Sequence, residues 1–258
     1  MNIGVLIKQV PSSESPVPLH DSETWIQEDG VNWEMNDSDS YALEEALLIK
    51  EKQGGGDVVV ITLGPEARSL KTIREALAKG ADRAIHLVDD VPGLSDPYLI
   101  ASAIAHACKE ESLDLVLSGL QSGDLASGQV GILVGEILGM TTSSLVMETD
   151  FSDNSIRVKR ELEGGWYQWV TLPLPAAINV QSGLNHPRYA SLKGIMSAKR
   201  KEIKTIPVAD ALNNTEALQS MSTLSVPIAE KRTEMIEGDT DQIVSKLIDV
   251  MKTKAKVL

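Results

Sequence analysis

A chain of 258 residues with 42% apolar content is long enough to bury a sizeable core, as one domain with an extension or as two small ones. Its formal charge of −13 and single phenylalanine exclude the basic, aromatic-rich surface that nucleic-acid binding needs. No run of 18 apolar residues is present to span a membrane, and one cysteine, Cys108, leaves no internal disulfide and fits a reducing cytoplasm.

The first half alternates strand and helix. Met-Asn-Ile-Gly-Val-Leu-Ile-Lys reads as a buried strand rather than a signal peptide, and the apolar run Ile3–Val10 ends at Pro11. Tyr41–Gln53 follows as a helix, then strand Asp57–Leu63 stops at Gly64-Pro65. Helix Glu66–Lys79 closes on Gly80, strand Ala84–Val88 follows, and Asp96-Pro97 starts helix Tyr98–Lys109. Cys108 sits in the apolar run of that helix and reads as a core residue. Strand Asp114–Leu117 completes the series. Continuous apolar strands are buried on both faces, so the fold class is α/β, a doubly wound, mostly parallel sheet.

The second half changes character. Ser144–Glu148, Ser155–Leu162 and Trp166–Leu172 read as antiparallel strands, with Gly164-Gly165 as a hairpin turn. Ala176–Val180 returns as a buried strand, residues 205–227 read as an extended connector, and Thr240–Lys252 reads as a terminal amphipathic helix. The predicted organisation is an α/β body over 1–204 and a C-terminal arm over 205–258.

Charge singles out one segment. Residues 1–187 hold 12 Lys/Arg against 28 Asp/Glu, whereas residues 188–204 hold six cations and one acid. Leu192, Ile195 and Met196 lie inside this basic stretch at helical spacing. A solvated amphipathic helix and a surface built to touch another protein both account for that pattern.

Catalytic constellations are scarce. His20, His86, His106 and His186 are scattered, with no metal-ligand spacing, and there is no nucleophile elbow, Walker loop or Gly-x-Gly-x-x-Gly. One loop carries chemistry. Strand Leu115–Leu117 runs into Ser118-Gly-Leu-Gln-Ser-Gly-Asp-Leu-Ala-Ser-Gly-Gln-Val-Gly131 and then a helix over Ile132–Leu138. Glycines, small hydroxyls and a helix N-terminus offer N–H groups to an anion, at the carboxyl end of a strand where open α/β sheets bind ligands. Asn36-Asp-Ser-Asp39 is a second polar cluster, suited to capping the next helix or contacting a nucleotide.

These residues carry a resemblance. Val158-Lys-Arg-Glu-Leu-Glu-Gly-Gly165, Leu174-Pro-Ala-Ala-Ile-Asn179 and Asn185-His-Pro-Arg-Tyr-Ala-Ser-Leu-Lys-Gly-Ile-Met196 resemble the β subunit of electron-transfer flavoprotein, and the similarity extends over essentially the whole chain. Ile7-Lys-Gln-Val10, Tyr41-Ala-Leu-Glu-Glu-Ala46, Leu77-Ala-Lys-Gly-Ala-Asp-Arg83 and the 118–131 loop support it. Met235-Ile-Glu-Gly238 resembles the branch that serves methylated-amine dehydrogenases.

The resemblance implies a Rossmann-like, adenine-nucleotide-binding fold in an αβ heterodimer. It implies that the α subunit holds the redox-active FAD and that this subunit holds a structural AMP. By position, AMP would be surrounded by Leu6, Asn36, Asp37, Ser38, Asp39, Leu63, Gly119, Gln121, Ser122, Gly123 and Asp124, with Ser127, Gly128, Gln129 and Val130 facing its phosphate. Leu192 would anchor a flavin-dependent dehydrogenase, with Arg188, Tyr189, Ile195 and Met196 forming the rest of the 185–204 docking surface. Glu161 would meet the α subunit's flavin domain, and the arm would pack on the α subunit. The chain departs from the family in two places. Several members carry an aromatic residue near the flavin where Ser13 stands here. Bifurcating members, which hold a second FAD, read Asp-Gly-Asp-Thr where this chain has Asp124-Leu-Ala-Ser127, so bulky Leu125 replaces a glycine and AMP is favoured over a second FAD. The rival reading is a nucleotide sensor of the universal-stress type, which would need neither the basic segment nor the arm.

Overall fold

Apolar segments bounded by Gly and Pro become the strands of one nine-stranded sheet among the described residues. The computed structural model describes residues 1–89, 95–152, 154–212, 215–227 and 233–257. In chain order the elements are β1 (Asn2–Leu6), β2 (Gln9–Pro11), β3 (Trp33–Met35), α1 (Asp37–Gln53), β4 (Asp57–Gly64), α2 (Glu66–Lys79), β5 (Arg83–Val88), α3 (Pro97–Cys108), β6 (Leu115–Gly119) and α4 (Val130–Ile137). There follow β7 (Thr141–Ser152), β8 (Ser155–Glu161), β9 (Tyr167–Pro173), β10 (Ala176–Val180), α5 (Leu192–Ala198), β11 (Ile203–Pro207), α6 (Val208–Leu212) and α7 (Thr240–Val250).

The sheet order is β11-β5-β4-β1-β6-β10-β7-β8-β9. Every pair from β11 to β7 is parallel, and β7-β8-β9 form an antiparallel edge. Successive side chains of the central strands enter opposite cores. Ile3, Val5, Val58, Val60, Leu115 and Leu117 pack with α1 and α2 on one face. Val59, Ile61, Ile85, Leu87 and Val116 pack with α3, α4 and α6 on the other. This two-sided burial is why the strands read as unbroken apolar runs. Cys108 is buried in the second core, and burial pushes its thiol up to about 12, as suits a packing residue.

The strand order also places a site. From β1 the chain builds outward to β4 and β5, then α3 crosses back to β6 on the other side of β1. The order therefore reverses between β1 and β6. Outside the carboxyl ends of those strands the outgoing loops diverge and leave a crevice.

Three expectations about elements change. The strand expected over Ile3–Val10 ends at Leu6, because the Lys8 N–H bonds the Asp39 carboxylate (2.7 Å) instead of a neighbouring strand. Gln9–Pro11 then leaves the sheet and pairs antiparallel with β3. The helix expected from Tyr41 starts at Asp37. The stretch 205–227, read as an extended connector, begins with β11 on the sheet edge and α6; within it residues 213–214 lie outside the described residues.

The chain divides into two compact units, Met1–Leu224 and Ser225–Leu258. In the second, α7 opens on a capping box in which Asp239 and Gln242 bond each other's backbone N–H, and Glu234 pairs with Lys246 and Lys254. Val244, Leu247 and Ile248 on α7 are exposed. Among the described residues no helix is long and apolar enough to cross a membrane.

Candidate functional site

An open cleft occupies the crevice between the ends of β1 and β6. One wall is the 118–131 loop, the other the ends of β1 and β4 with the start of α2. Leu6, Leu63, Pro97, Ile100 and Ile104 give it an apolar floor, and Ser127, Gly128, Gln129 and Val130 lie where α4 begins. The first N–H groups of a helix have no intrahelical acceptor, so this end of α4 offers donors and a positive partial charge. Ala126 (φ 51°) and Gly128 (φ 64°) take left-handed backbone and fold the loop back toward the helix start.

Close packing beneath the loop depends on glycine. A Cβ on Gly119 would strike Ser38 Oγ, Asp39 Oδ1 and, at 2.8 Å, the Asp39 backbone nitrogen. A Cβ on Gly131 would strike Ser118 Oγ and Asn179 Oδ1. The strand end and the helix start can approach this closely only without side chains.

Asn36–Asp39 act as a brace. Asn36 stands at the N-cap of α1 but makes no side-chain cap. Its Oδ1 accepts from Gly123 N (3.0 Å), and its Nδ2 donates to Gln121 O (3.0 Å) and Ser38 Oγ (3.0 Å). Ser38 Oγ donates to Gln121 O (3.0 Å). Asp39 accepts from Lys8 N with one oxygen and from Gly119 N (3.0 Å) with the other, tying the exits of β1 and β6 together. Of the expected nucleotide contacts, Leu6, Asn36, Asp39, Leu63, Gly119, Gln121, Ser122, Asp124 and Ser127–Val130 line the cleft. Asp37, Ser38 and Gly123 do not: Asp37 accepts from Ser182 Oγ at the surface, while Ser38 and Gly123 are spent holding the loop.

Burial lifts the Asp39 carboxyl from 3.8 to about 7, against the Asn36 side chain, the N–H groups of Lys8 and Gly119, and the Lys8 charge, which all pull it down. Between those values the folded protein holds a proton that the unfolded chain has released. Stability from this group is therefore greatest below pH 3.8, falls as pH rises toward about 7, and is flat above. Replacing Asp39 by Asn removes the titration. Denaturant midpoints followed from about pH 5 to about pH 8 should fall in wild type, by an amount on the order of 3 kcal/mol, and stay level in Asp39→Asn. Parallel profiles for the two proteins would refute the assignment.

Some lining residues, Lys8, Trp25, Glu28, Trp33 and Arg68, are not among those expected from the sequence. Lys8 Nζ bridges to Asp124 (2.7 Å) and contacts Ser122 Oγ (3.4 Å), joining the β1 exit to the loop. Burial raises the Asp124 carboxyl, but the charge and hydrogen bond of Lys8, with hydrogen bonds from Ser122 and the Leu125 N–H, together hold the group below its ordinary range. Trp25, Glu28, Trp33 and Arg68 line the mouth. Two of the chain's four tryptophans falling in a polar stretch without helix or strand period was the available clue.

The 185–204 segment is a platform bolted to two helices. Arg188 is clamped by both oxygens of Glu44 (2.9–3.2 Å) and by Glu51 (2.6 and 3.2 Å), and its own N–H donates to Glu44 (3.0 Å). Hydrogen bonds to Glu51 and Glu44 raise the Arg188 pKa. Asn185 Nδ2 donates to Tyr41 O (3.1 Å) and Glu45 (3.0 Å). On α2, Arg74 donates to Ala198 O and Lys201 to Leu77 O (2.9 Å), and a Cβ on Gly194 would strike Ala78 O. Tyr189 (95% exposed), Leu192 (84%), Met196 (69%) and Ile195 (47%) point outward from this platform. The basic character divides accordingly: Arg188, Lys201 and Lys204 are engaged with the protein, while Lys193, Lys199 and Arg200 are exposed and unpaired among the described residues.

Glu161 ends β8 opposite Tyr167 and accepts from Gln181 Nε2. Beside it, exposed Trp166, Tyr167 and Trp169 form an aromatic edge, with Arg157 over Trp169 (4.6 Å) and Lys159 over Tyr167 (4.8 Å).

Comparison with known proteins agrees with this architecture. The profile of the electron transfer flavoprotein domain matches residues 24–211. The chain is 36% identical to the electron transfer flavoprotein subunit beta of Methylophilus methylotrophus, covering 97% of this chain and 98% of that protein. It is 31% identical to that of Bacillus subtilis over 100% of both chains, and 32% identical to that of Homo sapiens over 97% and 98%. The chain belongs to the electron transfer flavoprotein family, among its β subunits.

Proposed function

We propose that this chain is the nucleotide-binding and dehydrogenase-docking half of an αβ electron carrier, holding AMP in the β1/β6 cleft while an α subunit holds the FAD. The observation that carries the AMP reading is the conjunction at the switch point of an apolar slot, Leu6–Leu63–Ile104, with the open N-terminus of α4 at Ser127–Gly131. The slot suits a purine and the helix end suits a single phosphate. Leu125 lines the same cleft, and its side chain where bifurcating members have glycine supports AMP over a second flavin.

In this reading the flavin supplies the redox chemistry, and this chain supplies position and recognition. AMP binds the folded state alone and stabilises it by mass action, about 2.7 kcal/mol at a hundredfold excess over Kd. Leu192, with Tyr189, Ile195 and Met196 around it, enters an apolar pocket on a flavin-dependent dehydrogenase. Lys193, Lys199 and Arg200 speed the encounter with an acidic partner face. The exposed aromatic edge by Glu161 and the apolar stripe of α7 meet the α subunit. The Met235–Gly238 stretch supports a methylated-amine dehydrogenase as electron donor.

The test is chemical. Denaturing the purified αβ complex should release one AMP and one FAD per heterodimer. Two FAD and no AMP would establish the bifurcating alternative instead, and a chain that purifies as a stable monomer without a flavoprotein partner would overturn the carrier reading.

A further inference from the structure

Residues 12–32 join the paired strands β2 and β3, and their Trp25 and Glu28 are among the residues that line the cleft. No residue between Pro11 and Glu34 is buried. The segment is organised by its own contacts: Ser12 and Ser15 bond Asn32, and Leu19 bridges Ile26. Without core side chains, such a segment is held in place by whatever specific bonds tie it to the body.

One residue supplies the ties that face the cleft. Arg68, in the first turn of α2, donates from Nη2 to Glu28 Oε1 (3.1 Å). Trp25 Nε1 donates to the same oxygen (2.9 Å). The Arg68 guanidinium also lies over the Trp33 ring, 3.7 Å from its centroid. All four residues line the cleft. The remaining ties among the described residues, Lys71 Nζ to Trp33 O (3.5 Å) and Leu224 N to Glu23 O, involve only main chain on the segment. A planar cation that stacks on Trp33, where the segment rejoins β3, while bonding Glu28 within it is suited to fasten it.

We propose that residues 12–32 form a strap over the cleft, latched by Arg68 through Glu28 and Trp33, and that this latch sets the rate at which a nucleoside monophosphate leaves. The proposal rests on the nucleotide reading given above. With Trp25 and Glu28 of the strap lining the cleft beside Arg68, release on this proposal requires the Arg68 bonds to part.

The experiment uses the αβ complex loaded with labelled AMP and chased with unlabelled AMP, alongside amide hydrogen exchange over residues 12–32. Arg68→Ala should speed release about tenfold and deprotect the strap, because it removes an ion pair and a ring contact together. Arg68→Lys keeps the charge without the stacking plane and should fall between. Trp33→Ala combined with Arg68→Ala should be no faster than Arg68→Ala alone, since both break one latch. Unchanged strap exchange in Arg68→Ala overturns the latch. Faster strap exchange with unchanged AMP release overturns its control of the nucleotide. A wild-type complex that retains no labelled AMP overturns the nucleotide reading and the gating role with it, while strap exchange still decides whether Arg68 fastens the segment.

Discussion

Replacing Gly119 by Ala should cost the protein about 2–3 kcal/mol and empty the nucleotide cleft. The added Cβ meets Ser38 Oγ and Asp39 Oδ1, and also the Asp39 backbone nitrogen at 2.8 Å. A side-chain tip can turn aside, but the backbone of α1's first turn cannot. Either β6 or α1 must therefore retreat, and the Gly119 N–H bond to Asp39 is lost in the process. Asp39 then keeps Lys8 N but has lost Gly119 N, and the two strand exits that frame the cleft part company. The control lies in the same loop: a Cβ on Gly123 has its nearest neighbour at 3.8 Å, an ordinary contact. Gly123→Ala should stay within about 0.5 kcal/mol of wild type and keep its nucleotide. Denaturant unfolding and nucleotide content of the purified complexes measure both quantities. A Gly119→Ala complex with wild-type stability and full AMP would show that the loop does not need this close approach.

The 118–131 loop was readable because its signal is local: a buried strand, then Gly and small hydroxyls, then a helix. What the loop rests on was not. Asn36, Ser38 and Asp39 read as capping or ligand-contacting residues, since short polar side chains before a helix usually serve nearby backbone. Here they serve backbone 80 or more residues away, because the strand crossover sets the start of α1 beside the end of β6. Arg188 read as one cation in a basic run. Glu44 and Glu51 lie two helical turns apart on α1, so one face of that helix was already arranged for a single guanidinium, but only the fold brings Arg188 to it. The strap was the least legible part. Its tryptophans obey no period, and the side-chain ties it makes to the body, through Arg68, come from the next helix but one.

Leu192→Ala should weaken dehydrogenase docking by about 1–3 kcal/mol, roughly five- to 150-fold in apparent affinity, while leaving stability within about 0.5 kcal/mol of wild type. The two effects separate because Leu192 is 84% exposed in this chain, so truncation removes contact from a partner and none from the core. Arg188→Ala carries the opposite signature. Its guanidinium faces the Glu44 carboxylate, which is 7% exposed, and removing it leaves that charge buried with no cation beside it and only the residue-188 main-chain N–H as donor. The cost should be about 2–3 kcal/mol of stability, below that of a fully buried pair because Arg188 is itself 32% exposed. Docking should weaken too, but through a platform that has lost its bolt to α1 rather than through a lost contact. Rates of reduction of the flavin across a range of dehydrogenase concentrations, set beside denaturation curves, distinguish the cases. Leu192→Ala with unchanged apparent affinity would remove the anchor from the account. Arg188→Ala with wild-type stability would mean that Glu44 and Glu51 hold an arginine they do not need, and the rigid presentation of Leu192 would then have to come from Asn185 on α1 and from α2, through Gly194, Arg74 and Lys201.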